Sequence, residues 1–322
     1  MASVLLGRNA AVGIGFESTE GTAVAAALWA RLASLSLTAV SNRVRIDDLS
    51  LGGTGYLQAR YLEQVDVSGS MEIISYYKGG AFASFLRACI GGTWVDSGAG
   101  PYTHVLEPGA EPPAVTFRTA RDTLSSSGAL QKGDVIAGAR VTSATISAET
   151  PGLLRLSLNF VAMSSTPGSA PTPSLAVHDD PIVYHQGGTW GWNSATYTLR
   201  SLSLELENAV EGLRGFGSSS INGAAVTGIR NARLTATRYK TSDDWADAQT
   251  AGTESDGAIT FTSGTDSFQI DLFNSLIPEG VALDAQSVGL VEESAIFEPR
   301  DDGTDPVLRF TLVNDDATAE AS

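Results

Sequence analysis

Histidines, a thiol and paired carboxylates are the groups through which this chain could do chemistry, and it holds few of them. Its three histidines are His104, His178 and His185. The last two bracket the segment HDDPIVYH, which could be drawn as a metal site because imidazoles and carboxylates are common metal donors. Their spacing fits no standard ligand pattern, and the segment adjoins a Pro- and Ser-rich stretch, so solvated loop residues are the plainer reading. Glu205 and Glu207 are spaced to share one face of a strand, as a carboxylate pair for acid–base work might. Such a pair needs a cleft shaped around a substrate, whereas these stand on what reads as an open sheet face. The lone cysteine, Cys89, excludes an internal disulfide and reads as a small core hydrophobe beside Phe85 and Leu86. Nucleophile elbow, phosphate-binding loop and dinucleotide fingerprint are all missing, and SGAG, KGG and GGTW read as glycines in turns. The expectation is a chain that is not an enzyme, with no catalytic residue, no metal and no cofactor.

What remains is a scaffold. The 322 residues are 43% hydrophobic and only 17% charged, which marks a folded protein. That length suits two domains of roughly 150 residues each, and 34 glycines fit a β protein with many turns. The start MASVLLGRNAAVGIGFE lacks a basic region followed by a long apolar core, so cytoplasmic synthesis and folding are expected. The apolar stretch Thr22 to Leu37 is broken by Arg31 and too short to span a bilayer. Residues 1–163 carry 12 Lys/Arg against 13 Asp/Glu, and residues 164–322 carry 8 against 23. That acidity argues against gripping nucleic acid, which takes cations to displace phosphate counterions. It does not argue against a surface past which DNA slides.

The chain reads as an internal duplication. RLASLSLTAVSN from Arg31 matches LRSLSLELEN from Leu199; VDVSGSMEI from Val65 matches IRNARLTAT from Ile229; LLRLSLNFV from Leu153 matches VLRFTLVND from Val307. Each run alternates apolar with small polar residues, the period of a strand with one face in a core and the other wet. The predicted layout is a first domain over 1–163, a Pro/Ser/Gly tether over 164–174 (SSTPGSAPTPS) and a second domain over 175–322, mainly β, each with a short flanking helix. KGGAFASFLRACIGG predicts the first helix, with Phe82, Phe85, Leu86 and Cys89 on one face. TSDDWADAQ predicts the second, capped by Thr241 or Ser242. Further strands are expected near Tyr102–Leu106, Ala114–Thr119 and Arg140–Ala148, a long functional loop from Ser41 to Leu62, its counterpart in GLRGFGSSSINGAAV, and a frayed tail, DDATAEAS.

The opening arm with its E-x-T-x-G-T element (Glu17 to Thr22), the SLSL strand, GSMEI ahead of FASFLRACIGG, and YTH at Tyr102 to His104 together resemble tail tube proteins of long, non-contractile-tailed bacteriophages. The resemblance implies tandem β-sandwich or β-barrel tube domains, subunits joined sheet edge to sheet edge into rings, and rings stacked into a conduit for DNA during ejection. It implies as partners a tape measure protein inside the tube, tail terminator and distal tail proteins, and further copies of the chain, with no membrane. The site would be the virion tail, assembled in the host cytoplasm. Many members carry one tube domain and form hexamers, so two domains per chain suggest a ring of three.

In such a ring the wet faces line the bore. Ser34, Ser36, Asp66, Ser68, Ser70, Glu72, Ser201, Ser203, Glu205 and Glu207 are the predicted lining, with Arg155 and Arg309 candidates for the same wall. Asp47, Asp48, Leu51, Gly52, Gly53, Thr54, Gly55 and Tyr56 are the predicted ring-stacking loop, and the Gly15 to Val24 arm is the second candidate. The competing reading is a carbohydrate-binding or adhesin-like double β-sandwich, for which Trp190 and Trp192 would have to form an exposed aromatic platform.

Overall fold

Alternation of Leu, Val and Phe with Ser, Thr and Glu can be satisfied only by strands with one buried face, and such strands dominate the fold. In the computed structural model, residues 5–46, 59–123, 130–169, 181–187, 190–215, 220–278, 281–284 and 290–320 are described. The first half gives β1 (Leu5–Phe16), β2 (Leu28–Ile46), β3 (Ala59–Ile74), α1 (Ala81–Ile90), β4 (Val95–Ser97), β5 (Tyr102–Leu106), β6 (Val115–Thr123), β7 (Leu130–Glu149), β8 (Arg155–Ala162) and β9 (Ser164–Ser169). The second gives β10 (Trp190–Trp192), β11 (Ala195–Tyr197), β12 (Leu199–Glu207), β13 (Val210–Leu213), β14 (Gly223–Val226), β15 (Asn231–Tyr239) and α2 (Asp244–Ala251). It continues through β16 (Glu254–Ser263), β17 (Asp266–Leu276), β18 (Ala282–Asp284), β19 (Glu292–Phe297) and β20 (Leu308–Asn314). The fold is mainly β, as the alternation predicts.

Six strands of the first half, β7-β6-β1-β2-β3-β8, close into a barrel through the β7–β8 pairing. The 20-residue β7 then does more than close it. Its residues Ser143 to Glu149 pair on their other flank with Glu207 to Ser201 of β12. One antiparallel sheet therefore runs β2-β3-β8-β7-β12-β15-β19-β18, four strands from each half. The two sets have the same order, with β12, β15, β19 and β18 standing where β2, β3, β8 and β7 stand. Their registers agree: Leu35 faces Met71 as Leu202 faces Ala236, and Gly69 faces Phe160 as Leu234 faces Phe297. A Cβ on Gly69 would lie 2.5 Å from the Phe160 ring, so the ring occupies the room that glycine leaves.

The second sheet, β11-β10-β16-β17-β20-β5-β4, also crosses the halves, since β20 pairs with β5. It contains β20, so the predicted equivalence of β8 with β20 is corrected: β19 is the counterpart of β8. Both matched segments alternate with a Leu-Arg step, and alternation specifies a buried face rather than a sheet. Helix α1 is predicted correctly but is more than amphipathic, because every residue except Arg87 is buried. Phe82 meets Phe268 edge-on at 5.2 Å and Phe85 stacks on Phe117 at 5.9 Å, tying the helix to both sheets. Gly91, at φ 74°, ends it and donates its N–H to the Arg87 carbonyl.

Other expectations shift. Pairing continues to Ile46↔Ala59, so strands occupy much of the loop predicted from Ser41 to Leu62. Both ends of GLRGFGSSSINGAAV, Gly212–Leu213 and Gly223–Val226, lie in the paired strands β13 and β14 rather than in a plain loop. Ser164–Ser169 of the predicted tether is β9, paired with β7. The N-cap of α2 is Asp243, one residue beyond the predicted Ser242, whose hydroxyl donates instead to Asp244. The tail is anchored: Asp316 accepts the Gly79 N–H, Glu320 pairs with Arg87 at 2.8 Å, and Ala319 is buried. Phe297 sits at the centre of Trp190, Trp192 and Trp245, with ring centroids 5.2 to 5.5 Å away. Phe297→Ala is expected to cost about 3–5 kcal/mol, by cavity formation. Urea unfolding monitored by tryptophan fluorescence checks this, and a loss under about 1 kcal/mol would contradict that role for the cluster.

Candidate functional site

Among the described side chains the eight-strand sheet turns most of its large apolar groups inward, which leaves mainly small polar ones on the opposite face, where Val161, Ile296 and Tyr239 also stand. On β2, Ser34 and Ser36 are exposed while Leu35 and Leu37 point the other way. Val67, Met71 and Ile73 of β3 are buried, and Asp66, Ser68, Ser70 and Glu72 take the alternate positions. Leu202, Leu204 and Leu206 of β12 are buried, opposite Ser201, Ser203, Glu205 and Glu207. Cross-strand register sets Ser34 against Glu72 and Ser36 against Ser70. The ten predicted positions thus share one continuous face.

Between the two groups lie β8 and β7, which add Ser157, Asn159, Ser143, Thr145, Ser147 and Glu149 to that face. These six were absent from the predicted lining, although ARVTSATISAE and LLRLSLNFV carry the same alternation. Asn159 donates to the Ser143 hydroxyl at 2.9 Å, so even the amide is engaged. Arg155 stands on this face and is ion-paired with Glu72 across β3–β8. Arg309 does not: it lies on β20 in the other sheet, pairing with Glu107 at 2.7 Å. Guanidiniums near the face are held by acids: Arg214 by Asp66, Arg200 by Glu292, and Arg233 by Glu298 at 2.7 Å. Glu149, Glu205, Glu207 and Asp284 are exposed, so among the described side chains the balance at this surface is acidic, and hydroxyls and carboxylates predominate on it.

The other candidate chemistry fares differently. Trp190 and Trp192 are 0% and 1% exposed, which removes the aromatic platform a carbohydrate-binding reading requires. His104 is buried between Asp96 at 2.7 Å and Asn314 at 3.0 Å, joining β4, β5 and β20. Burial pushes the Cys89 thiol far above its ordinary pKa, so it stays protonated and inert. His185 lies in a short 3-10 turn, Tyr184–Gln186. His178 and the predicted stacking residues Asp47, Asp48, Leu51, Gly52, Gly53, Thr54, Gly55 and Tyr56 lie outside the described residues. No helix among the described residues is long and apolar enough to cross a membrane.

Residues 7–310 match the family described as phage tail tube protein. This chain belongs to that family. No curated protein sequence matches it. As a phage tail tube protein it is a non-enzymatic structural component of the virion tail, and its family polymerises with itself and functions with other tail proteins.

In this tail tube protein the E-x-T-x-G-T element is a fixed turn. The Glu17 carboxylate accepts from the Gly21 N–H at 2.7 Å, the Thr116 hydroxyl at 2.6 Å and the Gly138 N–H at 2.9 Å. Glu20 pairs with Arg140 at 3.1 Å and accepts the Ala224 N–H at 2.8 Å, clasping the β14 hairpin from the second half. Glu111 completes the clasp on Arg140 at 2.8 Å. Glu17→Gln takes the charge from the acceptor of all three donors and sets an amide NH2 against at least one of them, and is expected to cost about 1–3 kcal/mol. Glu205→Gln, on the exposed face, should stay within about 0.5 kcal/mol of the parent. Denaturant midpoints of the two variants, measured side by side, test the distinction between a positioning carboxylate and a surface one.

Proposed function

We propose that three copies of this tail tube protein close into a ring of pseudo-sixfold symmetry, with the small-polar face lining the bore of a long, non-contractile tail. The observation that carries the reading is the continuous run of eight strands from β2 to β18: among the described residues β1 flanks β2 only at residues 28 to 31 and β18 pairs only with β19, which leaves a free flank at each end. Open strand edges are an aggregation liability unless another chain covers them, and a ring covers both with one kind of contact. Three such sheets make a barrel of about 24 strands. At about 4.8 Å between strands and about 45° of tilt, it is roughly 50 Å across. Removing roughly 5 Å of side chain on each side leaves a bore of about 40 Å, wider than a DNA duplex.

Ser34, Ser36, Asp66, Ser68, Ser70, Glu72, Ser201, Ser203, Glu205 and Glu207 line this bore together with the β7 and β8 positions between them. Carboxylates repel phosphate and short hydroxyl side chains give the duplex little to hold, so DNA passes without specific binding. A tape measure protein occupies the bore before ejection, and terminator and distal tail proteins cap the stack. Rings stack through residues 47–56, which follow β2 and precede β3 in the sequence. The Gly15–Val24 arm is the weaker candidate, because Glu17 and Glu20 tie its turn to the body.

The purified chain is expected to form tubes on negatively stained grids, and native mass measurement of the smallest closed species should give three chains. A chain that stays monomeric at high concentration, or a closed species of six, would count against the proposal. Deleting Gly52 to Gly55 is expected to leave the melting of the isolated protein unchanged and to abolish tubes. Tubes of normal length from that variant would move the stacking contact elsewhere.

A further inference from the structure

The ring proposed above leaves open how one copy meets the next, and the chain contains a template for that contact. Within the chain, the two four-strand sets are joined by β7 against β12, with Ile146 opposite Leu204, Thr145 opposite Glu205 and Ser147 opposite Ser203. The repeat of registers identifies the counterparts of these residues at the free ends of the sheet. Ser157, Leu156 and Arg155 of β8 pair with Thr145, Ile146 and Ser147 of β7, as Ser294, Glu293 and Glu292 of β19 pair with Ala282, Leu283 and Asp284 of β18. Leu283 therefore stands where Ile146 stands. On the other side, Ser34-Leu35-Ser36-Leu37-Thr38 occupies the place of Ser201-Leu202-Ser203-Leu204-Glu205.

At these two ends the leucines are less covered than their counterparts at the internal junction. Ile146 is 0% exposed, whereas Leu283 is 56% exposed. Leu202 and Leu204 are buried under β7, whereas Leu35 and Leu37 are only half-buried. Strand β1 flanks β2 at residues 28 to 31 only, and among the described residues no strand pairs with Leu32 to Thr38 on the side away from β3. Strand β18 likewise pairs only with β19 among the described residues. Directions also match: with antiparallel neighbours throughout the eight strands, β18 meets the following β2 antiparallel, as β7 meets β12.

We infer that β18 of one copy adds to the free flank of β2 of the next in the register of the internal junction, placing Leu283 opposite Leu37, Ala282 opposite Thr38 and Asp284 opposite Ser36. The inference rests on the ring reading and deepens it. Each end supplies the apolar side chain that the other lacks, and both leucines join the core side of the sheet. The outer pairs, Ala282 with Thr38 and Asp284 with Ser36, continue the small-polar face across the boundary. The occupant of each edge is thus a second copy of this chain. The contact is specified by a slip-sensitive pattern, because a shift of one residue would drive Asp284 or Ala282 into the apolar row.

Paired cysteines test the register. Full-length protein carrying Leu37→Cys and Leu283→Cys, assembled and then mildly oxidised, is expected to run as covalent dimers and trimers on a non-reducing gel. A Leu35→Cys, Leu283→Cys protein places its thiols two residues out of register, beyond direct disulfide reach, and should give at least tenfold less. Thr38→Cys with Ala282→Cys reads the same register from the wet face and does not touch the core, which guards against misfolding of the first pair. Tubes seen by negative stain with equal or reversed yields at the two Leu pairs, or with no crosslink at either in-register pair, would overturn this register while leaving the ring reading standing. A wild-type chain that forms neither rings nor tubes would overturn both.

Discussion

The pairing of β7 with β12 is the constraint on which the rest of the architecture depends. A strand of 20 residues has backbone donors and acceptors on two flanks, and β7 uses both along most of its length. Its first part is held between β6 and β9, and its last part between β8 and β12. This makes the closed barrel of the first half and the sheet of the second half one hydrogen-bonded surface. Without it the chain would carry two further open edges, and the halves would be free to choose another angle. Helix α1, its aromatic contacts reaching β6 on one side and β17 on the other, and the Glu20–Arg140–Glu111 clasp reinforce the same junction from the core and from the surface.

The two halves repeat in backbone order but not in how they fill equivalent positions. The buried pair Ile73 and Leu156 of the first half corresponds to Arg238 and Glu293 of the second, which are 3% and 0% exposed at the side chain and 2.8 Å apart. The guanidinium also lies over Tyr197 and Trp245, at 4.5 and 4.1 Å from their ring centroids. Buried charges are costly unless paired and hydrogen-bonded, and then serve geometry more than stability. Here the pair locks β15 to β19 next to the short edge strand β18, where apolar packing alone would leave register weakly specified. Order at that edge matters in a chain whose neighbour is expected to build on it.

Small-polar composition on one face is a negative property as much as a positive one. A sheet face past which a polyanion slides, the role proposed for this one, needs no recognition chemistry, and among the described residues Arg155, Arg200, Arg214 and Arg233 are held in ion pairs with acids. The same absence that makes the chain unpromising as an enzyme suits it as a wall.

Much of this was legible in the residues alone. Alternation in SLSL, VSGSMEI and LSLELE identified which side chain of each strand faces water, because a period of two leaves no other choice once one face is buried. The helix at Phe82 to Cys89 and the sequential similarity of the halves were legible for the same reason, as local patterns. Sheet membership was not. The segments at Leu153 and Val307 look alike and fold into different sheets, and Arg155 and Arg309 accordingly end on different surfaces. The anchored tail, the strand in SSTPGS and the burial of Trp190 and Trp192 were equally invisible, since each depends on residues more than a hundred positions away or on a partner strand with no local signature. The chain by itself determined its strands, their wet and dry sides, and its lack of catalytic groups. Which strands lie side by side, and therefore which edges remain for another copy, was decided only by tertiary structure, because backbone pairing is the same for every sequence and is selected by the packing of the whole.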